Sequence, residues 1–276
     1  MTNPIERADS GGISYLRTSK AGSGRPLVLL HGIGSNAQSF ARLMACLAPH
    51  RDVLAWDAPG YGDSQPLPGD WPATTSYAHA LAAWLDRLKL ERIDLLGHSL
   101  GAMIAGRFAA LYPARLDRLL LASPALGYRT TPGQPLAPGA AARIEAMMNE
   151  GGERFAAARG PRLVFGTHRS DVVAEVVKAM SQVKLPGFAQ SSRMLSTGDL
   201  VSDADLIKTR TLVLVGAEDE ITKPAHCERL YDALRAASPT LQHRFELVAD
   251  AGHAVAQEQP EAVARLIDCH LASTQT

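Results

Sequence analysis

At 276 residues the chain is long enough for two modest domains or for one large α/β domain carrying an insertion. Hydrophobic residues make up 46% and charged residues 20%, which excludes the apolar-poor, highly charged composition of a disordered chain. Lys plus Arg and Asp plus Glu both number 28, so the global positive field of a nucleic-acid or anionic-membrane binder is absent and neither partner is expected.

The first 25 residues carry Glu6, Arg7, Asp9, Arg17, Lys20 and Arg25 without an apolar block, a pattern that does not read as a signal peptide. No run of about 18 apolar residues occurs, so no membrane span is expected. Cys46, Cys227 and Cys269 are odd in number and widely spaced, which suits neither a disulfide framework nor a zinc cluster. They are expected as small buried side chains in a reducing, cytoplasmic compartment.

In chain order, Gly12 to Arg17 reads as a strand and Pro26 to Leu30 as another, ending in His31-Gly32-Ile33-Gly34-Ser35. Phe40, Leu43, Met44 and Leu47 fall at i, i+3, i+4 and i+7, one face of a helix stopped by Pro49. Asp52 to Trp56 is a strand that runs into the loop Asp57-Ala58-Pro59-Gly60-Tyr61-Gly62-Asp63-Ser64. Tyr77, Leu81, Leu85 and Leu88 predict a helix, and Arg92 to Leu96 a strand leading into Gly97-His98-Ser99-Leu100-Gly101 and a small-residue helix from Ala102 to Leu111. Leu116 to Ala122, Thr211 to Val215 and Phe245 to Val248 complete the strands, with helices at about 224 to 236 and 260 to 271. Such alternation predicts an α/β protein with a mostly parallel sheet and helices on both faces.

Between about Gly127 and Leu206 no strand can be picked out. A Pro/Gly-rich lead, Thr131 to Gly139, opens helices carrying Ile144, Met147, Met148, Phe155, Val172, Val176, Met180 and Met194. The segment is expected to be an inserted helical cap whose Met side chains either roof a pocket or pack cap against core. From Arg129 to Arg193 it holds nine Lys/Arg against five Glu/Asp, an excess of four. Most of these should be solvated, while one Arg turned inward would clamp a substrate carboxylate.

Gly32-Ile33-Gly34-Ser35-Asn36-Ala37 matches G-x-G-x-x-A, and Asp57 follows at the end of the next strand, which imitates a dinucleotide-binding fingerprint. No Tyr is followed four residues later by Lys and no Gly-Lys-Ser/Thr occurs, so neither a short-chain reductase nor a phosphate loop is supported. Gly97-x-Ser99-x-Gly101 between strand and helix is the context of a nucleophile elbow, a strained turn that lifts a Ser hydroxyl clear of the sheet. Serine needs a base, and the base an orienting acid. Asp219 and then His253 follow Ser99 in the chain as that acid and that base, each in a loop after a strand, where parallel strands deliver residues to one crevice. Glu218, Glu220 and Asp250 are rival acids. An oxyanion would rest on the backbone N–H groups of Leu100 and Ile33, which gives the first glycine loop a task without a cofactor. No metal-ligand spacing appears among the His residues, so neither metal nor cofactor is expected.

These segments, together with Glu258-Gln259-Pro260-Glu261, resemble the α/β-hydrolase fold superfamily, in particular capped hydrolases that include carbon-carbon bond hydrolases, enol-lactonases and small-ester esterases. The resemblance implies Asp219 as the acid; the other position used by the family is Ser123 here. Ser at position 99 departs from the carboxylate of haloalkane dehalogenases and epoxide hydrolases. The Trp that carbon-carbon hydrolases usually show after the histidine is replaced by Ala254, Val255 and Ala256. The expected organisation is a hydrolase core over 1–126 and 207–276 with a cap over 127–206. The expected activity is a serine hydrolase for a small ester or lactone, with a small-molecule substrate that carries a carboxylate if an inward Arg exists. Carbon-carbon cleavage of a vinylogous diketone acid, amide hydrolysis, and a non-catalytic ligand receptor on the same fold are the alternatives.

Overall fold

The computed structural model describes residues 4–18, 24–49, 51–131, 133–166 and 168–272; Lys20 and Pro132 lie outside them. Eight strands form one sheet: β1 (Ile5–Ser10), β2 (Ile13–Thr18), β3 (Leu27–Leu30), β4 (Val53–Trp56), β5 (Ile93–His98), β6 (Leu116–Ala122), β7 (Thr211–Gly216) and β8 (Arg244–Val248). Their order is β1-β2-β4-β3-β5-β6-β7-β8, antiparallel at β1, β2 and β4 and parallel from β4 onward. The helices are α1 (Ala41–Leu47), α2 (Thr74–Arg87), α3 (Leu100–Leu111), α4 (Pro138–Arg159), α5 (Ser170–Ser181), α6 (Leu185–Thr197), α7 (Leu200–Asp203), α8 (Pro224–Ala237), α9 (Val255–Glu258) and α10 (Pro260–Ala272). The mostly parallel, helix-flanked sheet expected from the alternation is the fold observed.

Successive strand residues face opposite sides, and both sides are covered, so the central strands can be apolar throughout. Val28, Leu30, Leu95, Leu119, Leu121 and Val213 face one core together with α2, α3 and α8. Leu27, Leu29, Leu96, Leu120, Leu212 and Leu214 face the other, against α1 and α10. Each such Leu, fully removed from water, contributes about 1.5–3 kcal/mol. No described helix is long and apolar enough to cross a membrane.

Between β6 and β7 the described residues form α4 to α7 and short 3₁₀ turns, with no strand. The Met residues of this segment divide: Met147, Met180 and Met194 are buried, whereas Met148 is 64% exposed. Met148 is therefore not part of any roof, because one residue along a helix rotates the side chain by about 100° away from its inward neighbour. Of the three cysteines, only Cys227 is buried; Cys269 is exposed and Cys46 half-buried, which corrects the expectation for those two.

Helix α3 lies so close to the sheet that its second residue has to be glycine. A Cβ on Gly101 would stand 2.2 Å from the Leu30 carbonyl oxygen and 2.8 Å from that of His31, both backbone atoms that cannot give way. Gly101→Ala is expected to cost about 3 kcal/mol as an overpacking change, which for a chain of this size lowers Tm by roughly 6–12 °C in a thermal melt. An unchanged Tm would refute this account of the elbow.

Candidate active site

Ser99 occupies the single residue between β5 and α3. Its φ of 53° and ψ of −113° put a non-glycine residue in the strained left-handed half of backbone space. The surrounding bonds over-determine that conformation: the Ser99 N–H donates to Ala122 O at 2.9 Å, and the Ser99 carbonyl accepts from Ala102 N–H at 3.0 Å and Ala125 N–H at 3.2 Å. The other elbow glycine is required as well, since a Cβ on Gly97 would stand 2.3 Å from the Gly101 carbonyl oxygen. The Ser99 hydroxyl makes no hydrogen bond among the described residues, and the residue lines a large cavity.

Asp219 and His253 arrive from the loops after β7 and β8, which are tied together by the Ala217 N–H on Val248 O at 2.9 Å and the Glu218 N–H on Ala251 O at 3.0 Å. His253 Nδ1 lies 2.9 Å from Asp219 Oδ2. Asp219 Oδ1 accepts from the Ile221 and Thr222 N–H groups at 2.8 and 2.9 Å. Burial works to raise the Asp219 carboxyl, but the bond from His253 and these backbone donors outweigh it and hold the group down at about 2. The rivals Glu218, Glu220 and Asp250 are exposed, and none of them reaches His253.

Three further residues complete this corner: His98 and Glu258, which the sequence shows as motif members, and Thr222, which it does not single out. The Thr222 hydroxyl lies 2.9 Å from Asp219 Oδ2, 3.0 Å from Ser123 O and 3.2 Å from His253 Nδ1. His98 Nε2 donates to the His253 carbonyl at 2.8 Å, and the two rings are 4.9 Å apart. Burial and then the neighbouring His253 push His98 down to about 3, so it stays neutral and supports the loop. Glu258 accepts from the Gly252 N–H at 2.9 Å and from the Phe165 N–H at 2.8 Å, one carboxyl oxygen to each, and so ties the His253 loop to the segment before α5.

Burial pushes the Glu258 carboxyl up, while the two N–H donors and Arg169 pull it back. Glu258→Gln turns one acceptor into a donor that must face a buried N–H. The expected cost is about 1–3 kcal/mol, a Tm loss of roughly 2–12 °C by differential scanning calorimetry. A variant as stable as the parent would show that the bridge carries no energy.

The first glycine loop also adjoins Ser99: a Cβ on Gly32 would stand 3.0 Å from the Ser99 Cβ. Neither the Ile33 nor the Leu100 N–H has an acceptor among the described residues, and Leu100 belongs to the first helical turn, whose N–H groups lack intrahelical partners. Asp57, the acid of the dinucleotide-like pattern, is fully occupied: it accepts from the Ala37 N–H at 2.8 Å, the Ser14 hydroxyl at 2.6 Å and Arg7 at 2.6 Å. It anchors the loop, so that pattern has no ribose-binding acid. His31 continues the anchoring, with Nδ1 donating to Gly32 O at 2.8 Å and Nε2 accepting from the Ala58 N–H at 3.0 Å. Burial keeps its ring neutral by lowering its pKa.

The cavity measures about 540 Å³ and is lined by Ile33, Ser99, Thr222 and His253 below and by residues such as Arg143, Phe155, Met180, Phe188 and Leu195 from α4 to α6 above. That is room for a small substrate with both a polar and an apolar wall. Of the predicted Met roof, Met180 alone lines it.

A family model described as serine aminopeptidase, S33 matches residues 24–260 of the chain. The chain is 30% identical over 267 residues to the 2-hydroxy-6-oxo-2,4-heptadienoate hydrolase of Pseudomonas putida, with 91% of each protein covered. A shorter stretch of 103 residues is 39% identical to an uncharacterized protein of Mycobacterium tuberculosis and spans only 30% of that protein's length. Among solved structures, the enol-lactonase of Burkholderia xenovorans LB400 superposes with a TM-score of 0.83 over 97% of this chain and 100% of that one, at 23% identity, a likeness of fold alone. A thermophilic esterase from Thermogutta terrifontis follows with a TM-score of 0.82, 26% identity, and 99% and 100% coverage.

Proposed function

The chain belongs to the α/β-hydrolase family described as serine aminopeptidase, S33, and from that membership we propose that it hydrolyses a small carboxylic ester or lactone through Ser99, His253 and Asp219. His253, oriented by Asp219, takes the Ser99 proton as the hydroxyl oxygen attacks the acyl carbon. The oxyanion is received by the N–H groups of Ile33 and Leu100. His253 protonates the leaving group, and a water activated by the same ring then releases the acid from the acyl-enzyme. Substrate binding tightens the Ser99 hydroxyl onto Nε2, a contact that is commonly loose in an empty site. The helices α4 to α7 serve as a cap that shields the acyl-enzyme from bulk water.

The observation that carries this reading is a buried carboxylate 2.9 Å from His253 Nδ1, with that ring and a backbone-strained serine on the wall of one cavity. The test is release of p-nitrophenol from p-nitrophenyl acetate and butyrate, and acid release from a small lactone. Turnover of at least one is expected, and failure of all three overturns the proposal. A second reading is favoured by the Pseudomonas relative: hydrolysis of a carbon-carbon bond in a vinylogous diketone acid, with His253 first assisting ketonisation. A kcat/KM higher on such a diketone acid than on any ester selects it.

A further inference from the structure

We propose that the cavity takes an anionic substrate, an ester or lactone bearing a carboxylate or phosphate group, and that Arg143 and Arg159 are the residues that hold this anion. This rests on the hydrolase reading of Ser99 and narrows its substrate class.

Five arginines line the cavity, at 129, 143, 159, 162 and 229, against a single acid, Asp199. Arg129 spends its charge on Asp199 at 2.9 Å. The other four have neither an ion pair nor a side-chain hydrogen bond among the described residues. Off the cavity, Arg17, Arg42, Arg51, Arg107 and Arg115 each reach a carboxylate within about 3 Å, whereas the surface residues Arg87, Arg154 and Arg265 reach none among the described residues. An excess of positive charge gathered in one concave, partly apolar site is a focusing field for anions.

Arg143 stands out within the set. Its Nη1 is buried with no hydrogen-bond partner. A buried guanidinium N–H without an acceptor is costly, and a carboxylate or phosphate oxygen is the acceptor its fork fits. The Tyr61 hydroxyl, itself 2.6 Å from Ser191 Oγ, feels this charge. Burial holds that phenol up at about 12 against the opposing pull of Ser191, the Gly34 backbone and Arg143. Arg143 and Ile33 line the same cavity.

Arg159 is held in place by stacking. Its guanidinium carbon sits 4.4 Å from the centre of the Phe155 ring, which in turn meets Phe188 edge-on at 5.2 Å. Stacking occupies the face of a guanidinium and leaves its N–H edge free for an anion. Sixteen residues of straight helix would separate Arg143 from Arg159 by about 24 Å. The helix is not straight: Gly151, with φ 74° and ψ 165°, breaks α4 and lets both ends of it line the same cavity. Arg162 and Arg229, exposed at the rim, add attraction at longer range, which salt should weaken.

The experiment compares kcat/KM for the p-nitrophenyl monoester of glutaric acid with that for neutral p-nitrophenyl valerate, and adds a phosphate-terminated p-nitrophenyl ester as a second anion. The parent is expected to favour one of the anionic esters at least tenfold at low salt, and raising NaCl should shrink the preference. Arg143→Gln is expected to cut the anionic-over-neutral ratio by about 10- to 100-fold, the loss of a charge-assisted pair. Arg143→Lys keeps the charge and restores part of the ratio. Arg154→Gln, on α4 but off the cavity, leaves the ratio as in the parent. Preference for the glutarate ester identifies a carboxylate site, and preference for the phosphate ester a phosphate site. An equal kcat/KM for all three esters, or a ratio untouched by Arg143→Gln, overturns the proposal. Calorimetric binding of glutarate and inorganic phosphate to Ser99→Ala judges the anion site without turnover: binding lost in the double variant with Arg143→Gln supports it, and no binding of either anion overturns it even if Ser99 proves catalytic.

Discussion

Replacing Ser99 with Ala is expected to lower kcat for p-nitrophenyl butyrate by about 10⁴-fold or more while leaving the fold intact. The size follows from the proposed mechanism, in which no acyl-enzyme forms without the hydroxyl and only oxyanion stabilisation and binding are left to help a water attack. The intact fold follows from the structure. The Ser99 hydroxyl has no hydrogen-bond partner among the described residues, so Ala removes no native contact, and the backbone bonds to Ala122, Ala102 and Ala125 that hold the turn are retained. Initial rates together with a thermal melt check both halves. Retention of more than a few per cent of the rate with an unchanged Tm would mean that another group is the nucleophile.

Asp219→Asn is expected to be the second largest loss, again about 10⁴-fold in kcat. The amide oxygen can still accept from Ile221 and Thr222 N–H, which places the amide NH₂ against His253 Nδ1 at the 2.9 Å contact. That forces the ring into the tautomer protonated on Nε2, which cannot take the Ser99 proton. Glu218→Gln, Glu220→Gln and Asp250→Asn act on exposed side chains away from His253 and are expected to change kcat less than about twofold. Stability carries a pH signature of the same group. A carboxyl held at about 2 in the fold, against an ordinary value near 4, stabilises the protein fully above about pH 4, and this contribution is lost as pH falls toward 2. The stability difference between parent and Asp219→Asn should therefore narrow on acidification through that window, as measured by urea unfolding at several pH values. A difference that widens there would contradict the assigned environment of Asp219.

The parts of the molecule that sequence reasoning reaches are those where one physical demand dominates. Strands such as Leu27–Leu30 and Leu116–Ala122 are read without difficulty because burial on both faces leaves apolar residues at nearly every position. The elbow is legible because Gly97 and Gly101 are both dictated by backbone approach. The first strand, Ile5–Ser10, is missed: it is an antiparallel edge strand with Glu6, Arg7 and Asp9 exposed or half-buried, and it has no apolar run to announce it.

Contacts made across long sequence separations leave no local signal. Glu258 is visible in the sequence as part of a motif, but its acceptance of the Phe165 N–H, 93 residues away, depends on how the segment before α5 docks on the His253 loop. Thr222 is an ordinary loop threonine until the fold sets it between Asp219, Ser123 and His253. The basic excess between residues 129 and 193 is countable in the chain, yet which arginines turn inward depends on the break at Gly151.

Activation of Ser99 by the Asp219–His253 pair is tested by covalent labelling. The protein is treated with a fluorophosphonate, and the adduct is located by peptide mass mapping in the parent, in Ser99→Ala and in His253→Ala. One phosphonyl group per chain is expected, on Ser99, formed at a rate that collapses in His253→Ala and absent in Ser99→Ala. An adduct on another serine, or labelling of Ser99 at the same rate without His253, would contradict it.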